Sequence, residues 1–454
     1  MRILLWHGYL MRGSGSNIYT ANVARAWRKA GHDVLVMCQE RTVSGLDFID
    51  AAGDFAPDNS SFSTSSMGVA PASGSCVVVR PDIGGLLPVY VYDDYEGFEV
   101  KRFVDLTDAE LARYTETNVA AMRTAVETHA PDAIITGHEV MGPHIARLAC
   151  EAGGKTYIAK LHGSALEYAV KEQERYREFA IDGLGGAARV VGGSSYMIEE
   201  AARFVPGWRE RAQVVNPGCD IDLFRPQPRP DRSKPIVGFV GKLIAQKGVH
   251  HLLAAAGLVE REFEVAIVGY GGFETELREL AVALGTGDIE RALHVAENAP
   301  EPLEELIGFL RSVQGDGGYR ERAGRRPIDF LGRLDHEALA PVLPTFDLLV
   351  VPSVLPEAFG MVAAEAAACG VLPLVPDHSG IGEVGRILEG ELGTDGLLTF
   401  DPKSPIKGIA AGMDRLLGAP PADRRTWAGK AVDVARSRWS WTRVADRLLE
   451  LASG

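Results

Sequence analysis

The feature that most constrains the fold of this chain is a repeated order of short apolar strand, glycine-bearing turn and amphipathic helix. The order first appears as a predicted strand at Arg2–Trp6, a loop at His7–Ser16 and a helix from about Asn17 to Ala30. A glycine then ends the helix, and Asp33–Cys38 predicts the next strand. Strands joined in this way by a helix lie parallel in one sheet, with the helix packed across its face.

The order restarts after the segment Pro226–Pro235, which is rich in proline and charge and predicts a linker. A strand at Ile236–Val240, a glycine turn and a helix from about Gly248 repeat the opening of the chain. The other predicted strands are Ala133–Thr136, Thr156–Leu161, Ala188–Gly192 and Gln213–Asn216 before the linker, and Glu264–Val268, Ile328–Leu331, Leu348–Val351 and Val371–Val375 after it. The sequence therefore predicts an α/β protein of two Rossmann-like domains, residues 1–225 and 226–436.

Three segments stand apart from the repeat. Ala51–Ser75 is crowded with Ser, Gly and Ala and is predicted to be a mobile loop. Residues 286–327 stand where a short connection is expected, and the helical spacing of AENAPEPLEELIGFLRSV predicts a helical insertion there. The final segment SWTRVADRLLELASG predicts an amphipathic helix with Val444, Leu448 and Leu451 on one side.

Composition narrows the class of protein. With 61 acidic and 47 basic residues, the 454-residue chain has a net charge of −14, which disfavours binding to nucleic acid or an anionic membrane through its overall field. Its five cysteines are scattered and form no CxxC pair, which argues against structural zinc or a disulfide framework. No segment approaches the ~18 apolar residues of a membrane span, and no cleavable leader is recognisable. We therefore expect a cytoplasmic protein.

The segment Val350–Gly370 carries the most chemical information. It predicts a buried strand, a loop with Glu357 and a helix that begins near Gly360. The free amides at a helix start can hold an anion such as a diphosphate, and a glycine lets the backbone approach it closely. Glu365 would lie roughly 7.5 Å along the helix axis, near a ribose, and Glu357 near a sugar on the other side of the phosphate. The alternative is a surface loop acid and a solvated helix acid.

A second informative segment is VGKLIAQKG, residues 240–248. Lys242 follows a strand end and Lys247 precedes a helix, so two ammonium groups flank one strand-to-helix turn. Two cations and a helix start suit a diphosphate better than a neutral ligand. The alternative is a pair of solvated lysines, but ligands of open α/β sheets bind at strand ends of this kind.

Together these segments resemble the retaining glycosyltransferases of the GT-B fold, family 4 (glycosyltransferase group 1). Glu357 and Glu365 match the family's E-x7-E pair in the setting PEAFGMVAAEAAACG. Lys242 and Lys247 match the family's GK-L-x-x-x-KG element, where Arg is more common at the first position. VVNPGCDIDLFRP, VGYGGFETEL and FLGRLDHEAL match three further blocks in the family's order. The resemblance covers nearly the whole chain, outside 51–75, 286–327 and about 80–130.

The resemblance implies two Rossmann-like domains whose parallel sheets face across an interdomain cleft, with the C-terminal helix 437–454 packing back on the first domain. It implies a hexosyltransferase that moves a hexose, with retention and without a metal or cofactor, from a nucleotide diphosphate sugar to a hydroxyl acceptor. A UDP-sugar is the favoured donor and GDP-mannose the second. The acceptor would be a small molecule, a carbohydrate or a glycolipid.

The resemblance also implies the roles of individual residues. His162, Lys242, Lys247 and Glu357 are predicted to be catalytic. The predicted donor contacts are Gly13, Ser14, Gly15, Lys242, Lys247, Leu331, Glu357, Ala358, Phe359, Gly360, Met361 and Glu365, with Ser379 and Gly380 as further sugar contacts. His138 is the predicted acceptor contact, although a helix cap or a core position explains it equally well. His162 has the alternative of a local hydrogen-bond partner at a strand end.

Two other classes of protein remain open. A nucleotide-sugar 2-epimerase shares the architecture and would act on its donor without an acceptor. A non-catalytic sugar-nucleotide-binding protein would keep the fold but has no need for Lys242, Lys247, Glu357 and Glu365 together. The sequence leaves the oligomeric state unassigned.

Overall fold

A computed structural model describes residues 1–70, 72–229, 232–301 and 303–453. A few residues of the predicted segments therefore lie outside the described residues. They are Pro71 of the predicted loop, Pro230 and Asp231 of the predicted linker, Pro302 of the predicted insertion and Gly454 of the predicted last helix.

The chain forms two compact units. Unit 1 consists of Met1–Pro217 and Trp441–Gly454, and unit 2 consists of Gly218–Ser440. Unit 2 thus begins at residue 218, earlier than the expected 226, and ends at residue 440, later than the expected 436. Both extra segments are paired with each other: the Cys219 amide donates to the Trp439 carbonyl at 2.6 Å, and Cys219 forms a parallel bridge with Ser440. The two ends of unit 2 therefore lie side by side.

Unit 1 is built around a largely parallel sheet with the strand order β11-β10-β9-β8-β1-β2-β5-β3-β4, in which only the β3–β4 pair is described as antiparallel. A separate parallel pair is formed by β6 and β7. The strands are β1 (Arg2–Trp6), β2 (Asp33–Met37), β3 (Ala51–Phe55), β4 (Phe62–Ser66), β5 (Ser75–Arg80), β6 (Leu86–Val89), β7 (Glu99–Arg102), β8 (Ala133–Gly137), β9 (Ile158–Lys160), β10 (Arg189–Gly192) and β11 (Ala212–Val214).

The helices of unit 1 connect and cover these strands. They are α1 (Gly15–Lys29), α2 (Asp108–His129), α3 (Gly142–Cys150), α4 (Glu174–Gly186) and α5 (Ser195–Phe204), together with α16 (Trp441–Ser453), which follows unit 2 in the chain. In β1 only the first residue, Arg2, is exposed. Such a continuous buried run is typical of a central parallel strand with helices on both faces.

The prediction of a mobile loop at Ala51–Ser75 is wrong, because the segment contains β3, β4 and the start of β5. Its small residues are needed for close strand packing: a Cβ added at Gly53 would overlap the Ser63 carbonyl across the β3–β4 pair. β4 is exposed over Ser63–Ser66 at the edge of the sheet, where polar side chains face water. The serines and glycine of this segment are therefore explained by an edge strand and its close pairing, and not by a loop.

Helix α16 completes the core of unit 1. Val444 and Leu448 are fully buried against α1 and Leu451 is half-buried. The indole N–H of Trp27 in α1 donates to the Ala445 carbonyl at 3.0 Å. The apolar stripe read from the sequence thus packs on the first helix of the chain.

Unit 2 has a parallel sheet with the order β14-β13-β12-β15-β16-β17. Its strands are β12 (Ile236–Val240), β13 (Glu264–Val268), β14 (Ile328–Gly332), β15 (Leu348–Val350), β16 (Leu372–Pro376) and β17 (Thr399–Phe400). Its helices are α6 (Val249–Ala256), α7 (Glu274–Gly285), α8 (Ile289–Glu297), α9 (Glu304–Val313), α10 (Gly317–Gly324), α11 (His336–Leu339), α12 (Met361–Ala368), α13 (Ser379–Leu392), α14 (Pro405–Gly418) and α15 (Pro421–Arg438). The segment 286–327 thus carries α8, α9 and α10, and their apolar faces join the core of unit 2.

Candidate functional site

Three neighbouring strands of unit 2 end in loops that carry charged or polar side chains. Lys242 and Lys247 follow β12, Glu357 follows β15, and Ser379 follows β16. The order β12-β15-β16 in a parallel sheet places the three carboxyl ends at one edge. That edge is where open α/β sheets bind their ligands.

Two glycines allow these loops to touch through their backbones. Gly248 has φ 68°, and a Cβ added there would overlap the carbonyl of Pro352. The Gly380 amide donates to the Glu357 carbonyl at 2.9 Å, and a Cβ at Gly380 would overlap the carbonyl of Ala358. Glycine is required at both positions for steric reasons, and the resulting contacts hold Glu357 between its two neighbouring loops.

Glu357 is hydrogen-bonded to both neighbouring loops and to its own loop. The Lys247 ammonium donates to Glu357 Oε1 at 2.7 Å, and the Ser353 hydroxyl donates to the same oxygen. The backbone amide of Glu357 donates to Ser379 Oγ at 3.0 Å. Ser379 has φ 51°, a left-handed conformation that a non-glycine residue keeps only where its surroundings impose it. The backbone and carboxylate of Glu357 are therefore fixed in one position.

His378 connects two of the residues that contact Glu357, namely Ser353 and Ser379. Its Nε2 lies 3.0 Å from the Ser353 carbonyl and its Nδ1 lies 2.9 Å from Ser379 Oγ. A carbonyl can only accept, so Nε2 carries the proton, and in a neutral ring Nδ1 accepts from the Ser379 hydroxyl. The sequence predicted a role for Ser379 and Gly380, but not for Ser353 or His378. Ser353 and His378 stand just after the ends of β15 and β16, and this position was the signal that could have identified them.

The helix after Glu357 begins as the sequence predicts. Gly360 has φ 99° at the start of α12, and a Cβ there would overlap the Ile381 side chain. Phe359 is buried against the ring of Trp439, with centroids 5.7 Å apart, so its side chain belongs to the core and only its backbone is suited to a ligand. Ala358 and Met361 are half-buried.

Glu365 lies in α12 with a nearly buried side chain, 10% exposed. His336 Nε2 lies 3.4 Å from Glu365 Oε1, and this interaction raises the pKa of the His336 imidazole. The Asp335 and Asp220 carboxylates raise that pKa further. The sequence analysis missed His336, although it stands in the matched block FLGRLDHEAL.

Lys242 and Leu331 take part in none of the side-chain hydrogen bonds described above. Lys242 is exposed in the loop after β12, and within the described residues it takes part in no ion pair. Leu331 is 45% exposed on β14, which is separated from β12 by β13. Next to Leu331, the Arg333 guanidinium lies 4.7 Å from the centre of the Tyr270 ring.

The predicted residues of unit 1 fall at the carboxyl ends of its central strands. His162 lies two residues beyond the end of β9. Its ring lies 4.9 Å from the ring of His138, 5.2 Å from that of Tyr19 and 6.4 Å from that of His7. Burial lowers the pKa of His162 well below its usual range, and the charges of His138, Lys160 and His7 lower it further. His162 is therefore held as a neutral imidazole.

His138 follows β8 in a left-handed conformation, with φ 71°. It is 1% exposed, and neither ring nitrogen has a hydrogen-bond partner among the described residues. Burial lowers its pKa well below the ordinary value. In contrast, His7 bonds Asn17 Oδ1 at 2.8 Å and Thr20 Oγ1 at 3.2 Å.

Gly13, Ser14 and Gly15 form an exposed turn in which Gly13 has φ 93°, and Ser14 stands at the N-cap position of α1 without a side-chain hydrogen bond to the backbone amides of the helix. Behind the histidines lies a further buried charge that the sequence analysis missed, Lys160, at 2% exposure. Burial lowers the pKa of the Lys160 ammonium to about 7, against the opposing effect of Glu139. Lys160 interrupts the apolar residues of the predicted strand Thr156–Leu161, and this interruption was the signal that could have found it.

Within the described part of the chain, no group of three or more His, Cys, Asp or Glu side chains is arranged to hold a metal ion. A helix with the length and apolarity needed to cross a membrane is likewise not found among the described residues.

Two family profiles match the chain. The profile described as Glycosyl transferase 4-like domain matches residues 14–218, and the one described as Glycosyl transferases group 1 matches residues 320–431. Among solved structures, sucrose-phosphate synthase from Thermosynechococcus elongatus is similar with a TM-score of 0.61 at 18% identity, over 99% of this chain and 98% of that one. HepE of Anabaena, solved in complex with UDP, is similar with a TM-score of 0.61 at 16% identity, over 99% of both chains.

Among curated proteins, the D-inositol 3-phosphate glycosyltransferase of Corynebacterium urealyticum is 30% identical over 260 residues, 54% of this chain and 51% of that protein. The alpha-maltose-1-phosphate synthase of Mycolicibacterium smegmatis is 26% identical over 58% of this chain and 62% of that protein. The chain thus spans about half the length of the first curated relatives it matches.

The parallel α/β sheets and the solved structures define the GT-B fold, which confirms the predicted fold class. The two profiles match in the expected order along the chain, one largely in each unit. The chain therefore belongs to the group 1 glycosyltransferases, family 4, as its motifs predict.

Proposed function

We propose that this protein is a retaining hexosyltransferase that moves a hexose from a nucleotide diphosphate sugar to a hydroxyl acceptor without a metal ion. The observation that carries the proposal is the Lys247–Glu357 contact at the start of α12, one turn and a half from Glu365. A cation, a helix start and two carboxylates at one sheet edge match the successive parts of a nucleotide sugar. Unit 2 is therefore assigned to the donor.

Each part of the donor has a proposed partner. Lys242 and Lys247 hold the diphosphate, helped by the free amides at the start of α12. Glu365, oriented by His336, accepts hydrogen bonds from the ribose hydroxyls. Glu357 accepts from a hydroxyl of the donor sugar, near the amides of residues 358–360.

The reaction breaks the bond between the sugar's anomeric carbon and the phosphate oxygen. A new bond forms from the acceptor oxygen to that carbon on the same face, and the acceptor proton passes to the departing phosphate oxygen. The cations stabilise the charge that develops on the leaving diphosphate, as preorganised groups do in many transferases. His162 is the proposed catalytic residue of unit 1, and its neutral imidazole can accept a hydrogen bond from a hydroxyl group.

The donor proposal starts from UDP-sugars, since the similar HepE structure is described as a complex with UDP. GDP-mannose is the second donor to test. The names of two relatives specify a phosphorylated cyclitol acceptor and a sugar phosphate product. A hydroxyl acceptor that also carries phosphate is therefore the first class to screen, ahead of neutral carbohydrates and glycolipids.

The test is a donor screen followed by turnover. Binding of UDP, GDP and their glucose, N-acetylglucosamine and mannose derivatives is measured by calorimetry, and product from the best donor is analysed by NMR. The anomeric proton coupling must show the same configuration in donor and product. Turnover is expected to persist in EDTA, because lysines supply the positive charge, and EDTA-sensitive turnover restored by magnesium would contradict metal independence.

The two alternatives give different results in the same screen. An epimerase would convert or hydrolyse its donor with no acceptor present. A binding protein would bind a nucleotide sugar and release no nucleoside diphosphate with any acceptor. Either result would replace the transferase proposal.

A further inference from the structure

We propose that Glu357 competes with the donor diphosphate for Lys247, and that this competition makes the site prefer a nucleotide that carries a sugar over the bare nucleoside diphosphate. The inference rests on the proposed function of the site, and it assigns to one ion pair the discrimination between substrate and product.

The pair is close and partly shielded from water. Lys247 Nζ lies 2.7 Å from Glu357 Oε1, and the side chains are 33% and 17% exposed. A half-buried ion pair is worth more than an exposed one, because water screens it less. The Ser353 hydroxyl also donates to Oε1, so this oxygen already has two donors. No hydrogen bond to Oε2 is described, so Oε2 is the oxygen proposed to accept from a ligand.

The carboxylate of Glu357 cannot easily leave Lys247. Its backbone amide is bound to Ser379 Oγ, its carbonyl accepts from the Gly380 amide, and His378 links Ser379 to the Ser353 carbonyl. Rotation of the side chain alone would break the Ser353 contact as well. The negative charge therefore stays at the place where the diphosphate must recruit the ammonium.

A bare nucleoside diphosphate pulls Lys247 from Glu357, fully or in part, and places a second anion beside the carboxylate. The half-buried carboxylate then loses part of its best hydrogen bond without a replacement, which carries a free-energy cost. A nucleotide sugar restores the balance, since a sugar hydroxyl can donate to Glu357. When the sugar is transferred, this compensation is lost, and Lys247 returns to Glu357 as the nucleoside diphosphate leaves.

Lys242 differs from Lys247 in having no carboxylate partner among the described residues. It lies on the same loop, but it is exposed, and among the described residues it is in no ion pair. The diphosphate can therefore recruit Lys242 without removing it from a carboxylate. Replacing Lys242 should weaken the binding of the bare nucleotide and of the nucleotide sugar by similar factors. Replacing Glu357 should instead strengthen binding of the bare nucleotide and weaken binding of the nucleotide sugar.

The experiment measures dissociation constants of UDP and UDP-glucose by calorimetry for the wild type, Glu357→Gln, Glu357→Asp and Lys242→Met, with GDP and GDP-mannose used if the wild type prefers them. We expect Glu357→Gln to bind the bare diphosphate about fivefold more tightly than the wild type, the scale of one partly screened ion pair. Its preference for the sugar nucleotide should disappear. Glu357→Asp keeps the charge but withdraws it from Lys247. Its affinity for the bare diphosphate should therefore lie between those of the wild type and Glu357→Gln.

The outcomes separate the two proposals. If the wild type binds none of these nucleotides, the proposed function fails and the inference with it. If the wild type binds them but neither Glu357 variant binds the bare diphosphate more tightly, the competition does not exist. If Lys242→Met also tightens the bare diphosphate, the effect comes from the general charge of the loop, and the role of the pair is refuted. Unchanged melting curves establish that both Glu357 variants are folded.

Discussion

Glu365 is a nearly buried carboxylate, and the imidazole Nε2 of His336 lies 3.4 Å from it. Because Glu365 is the proposed ribose contact, we propose that His336 acts on the nucleotide through it. The sequence assigned no role to four residues of the site region: His336, His378, Ser353 and Lys160. Two of them, His336 and Ser353, nevertheless lie within the segments FLGRLDHEAL and Val350–Gly370. Their roles come from contacts between loops that are distant in the chain. A motif of consecutive residues does not predict such contacts.

The raised pKa of His336 predicts a pH-dependent contribution to stability. A histidine whose pKa is higher in the folded state stabilises the fold fully below its unfolded pKa of about 6.5, and this stabilisation is lost as the pH rises through the folded pKa. His336→Gln should therefore lower the melting temperature more at pH 5.5 than at pH 8.5. The measurement compares the melting temperatures of the variant and the wild type at both pH values. An equal effect for His336→Gln would contradict the ion pair.

Lys247→Ala and Glu365→Ala should each weaken nucleotide binding and leave the protein folded, because both side chains serve the site more than the core. Loss of one charge-assisted hydrogen bond costs about 1.5–3 kcal/mol, roughly 10- to 150-fold in the dissociation constant. Lys234→Ala is the matched control, since Lys234 pairs with Glu262 before β12 begins, at the opposite edge of the sheet. Wild-type affinity for UDP and GDP in both site variants would refute the assignment.

Among the elements, most parallel strands of both units were predictable. The parallel strands β5, β6, β7 and β17 and the antiparallel pair β3–β4 were not. β1, β12 and β13 have the predicted bounds, because a strand buried on both faces is a continuous apolar run that is easy to recognise. β3 and β4 were missed because their serines and glycine look like a loop, and only pairing across the sheet makes them strands. The Lys247 and Glu357 positions were found from motifs, but their direct contact depends on which strands are neighbours.

The loop-to-loop contact at Gly248 gives a prediction at this scale. Gly248→Ala should destabilise unit 2 by about 1–3 kcal/mol, because it combines a left-handed backbone with overlap of the Pro352 carbonyl, and it should weaken nucleotide binding by displacing Lys247. Gly429→Ala is the control: it lies exposed in α15 with open space around it, and alanine should be neutral or stabilise the helix by up to about 1 kcal/mol. Both free energies are obtained from urea unfolding. A neutral Gly248→Ala variant would show that the two loops do not need this contact.

Over the whole molecule, the two units differ in how the chain builds them. Unit 2 is one continuous segment, whereas unit 1 needs two segments that are separated by all of unit 2. The second segment is α16, whose Leu448 is fully buried and whose Leu451 is half-buried against the first core. Removal of contacts in α16 should therefore affect unit 1, although the substitutions stand near the end of the sequence.

Leu448→Ala should cost about 2–5 kcal/mol in the unfolding of unit 1, the range for a large buried side chain replaced by alanine. Leu451→Ala should cost clearly less, because that side chain keeps part of its exposure. Two-unit proteins can unfold in more than one transition, so calorimetric scans are used to separate the units. If Leu448→Ala shifted every transition equally, or none, α16 would not belong specifically to unit 1.

The side-by-side position of Cys219 and Ser440 has a consequence for how the protein is made. During translation, the first 217 residues leave the ribosome without the helix that completes their core, while all of unit 2 emerges before that helix does. We expect unit 2 to reach a protease-resistant state first, although it comes second in the sequence. Until α16 is synthesised, the nascent N-terminal half keeps an apolar groove on α1 open, and a chaperone can occupy it.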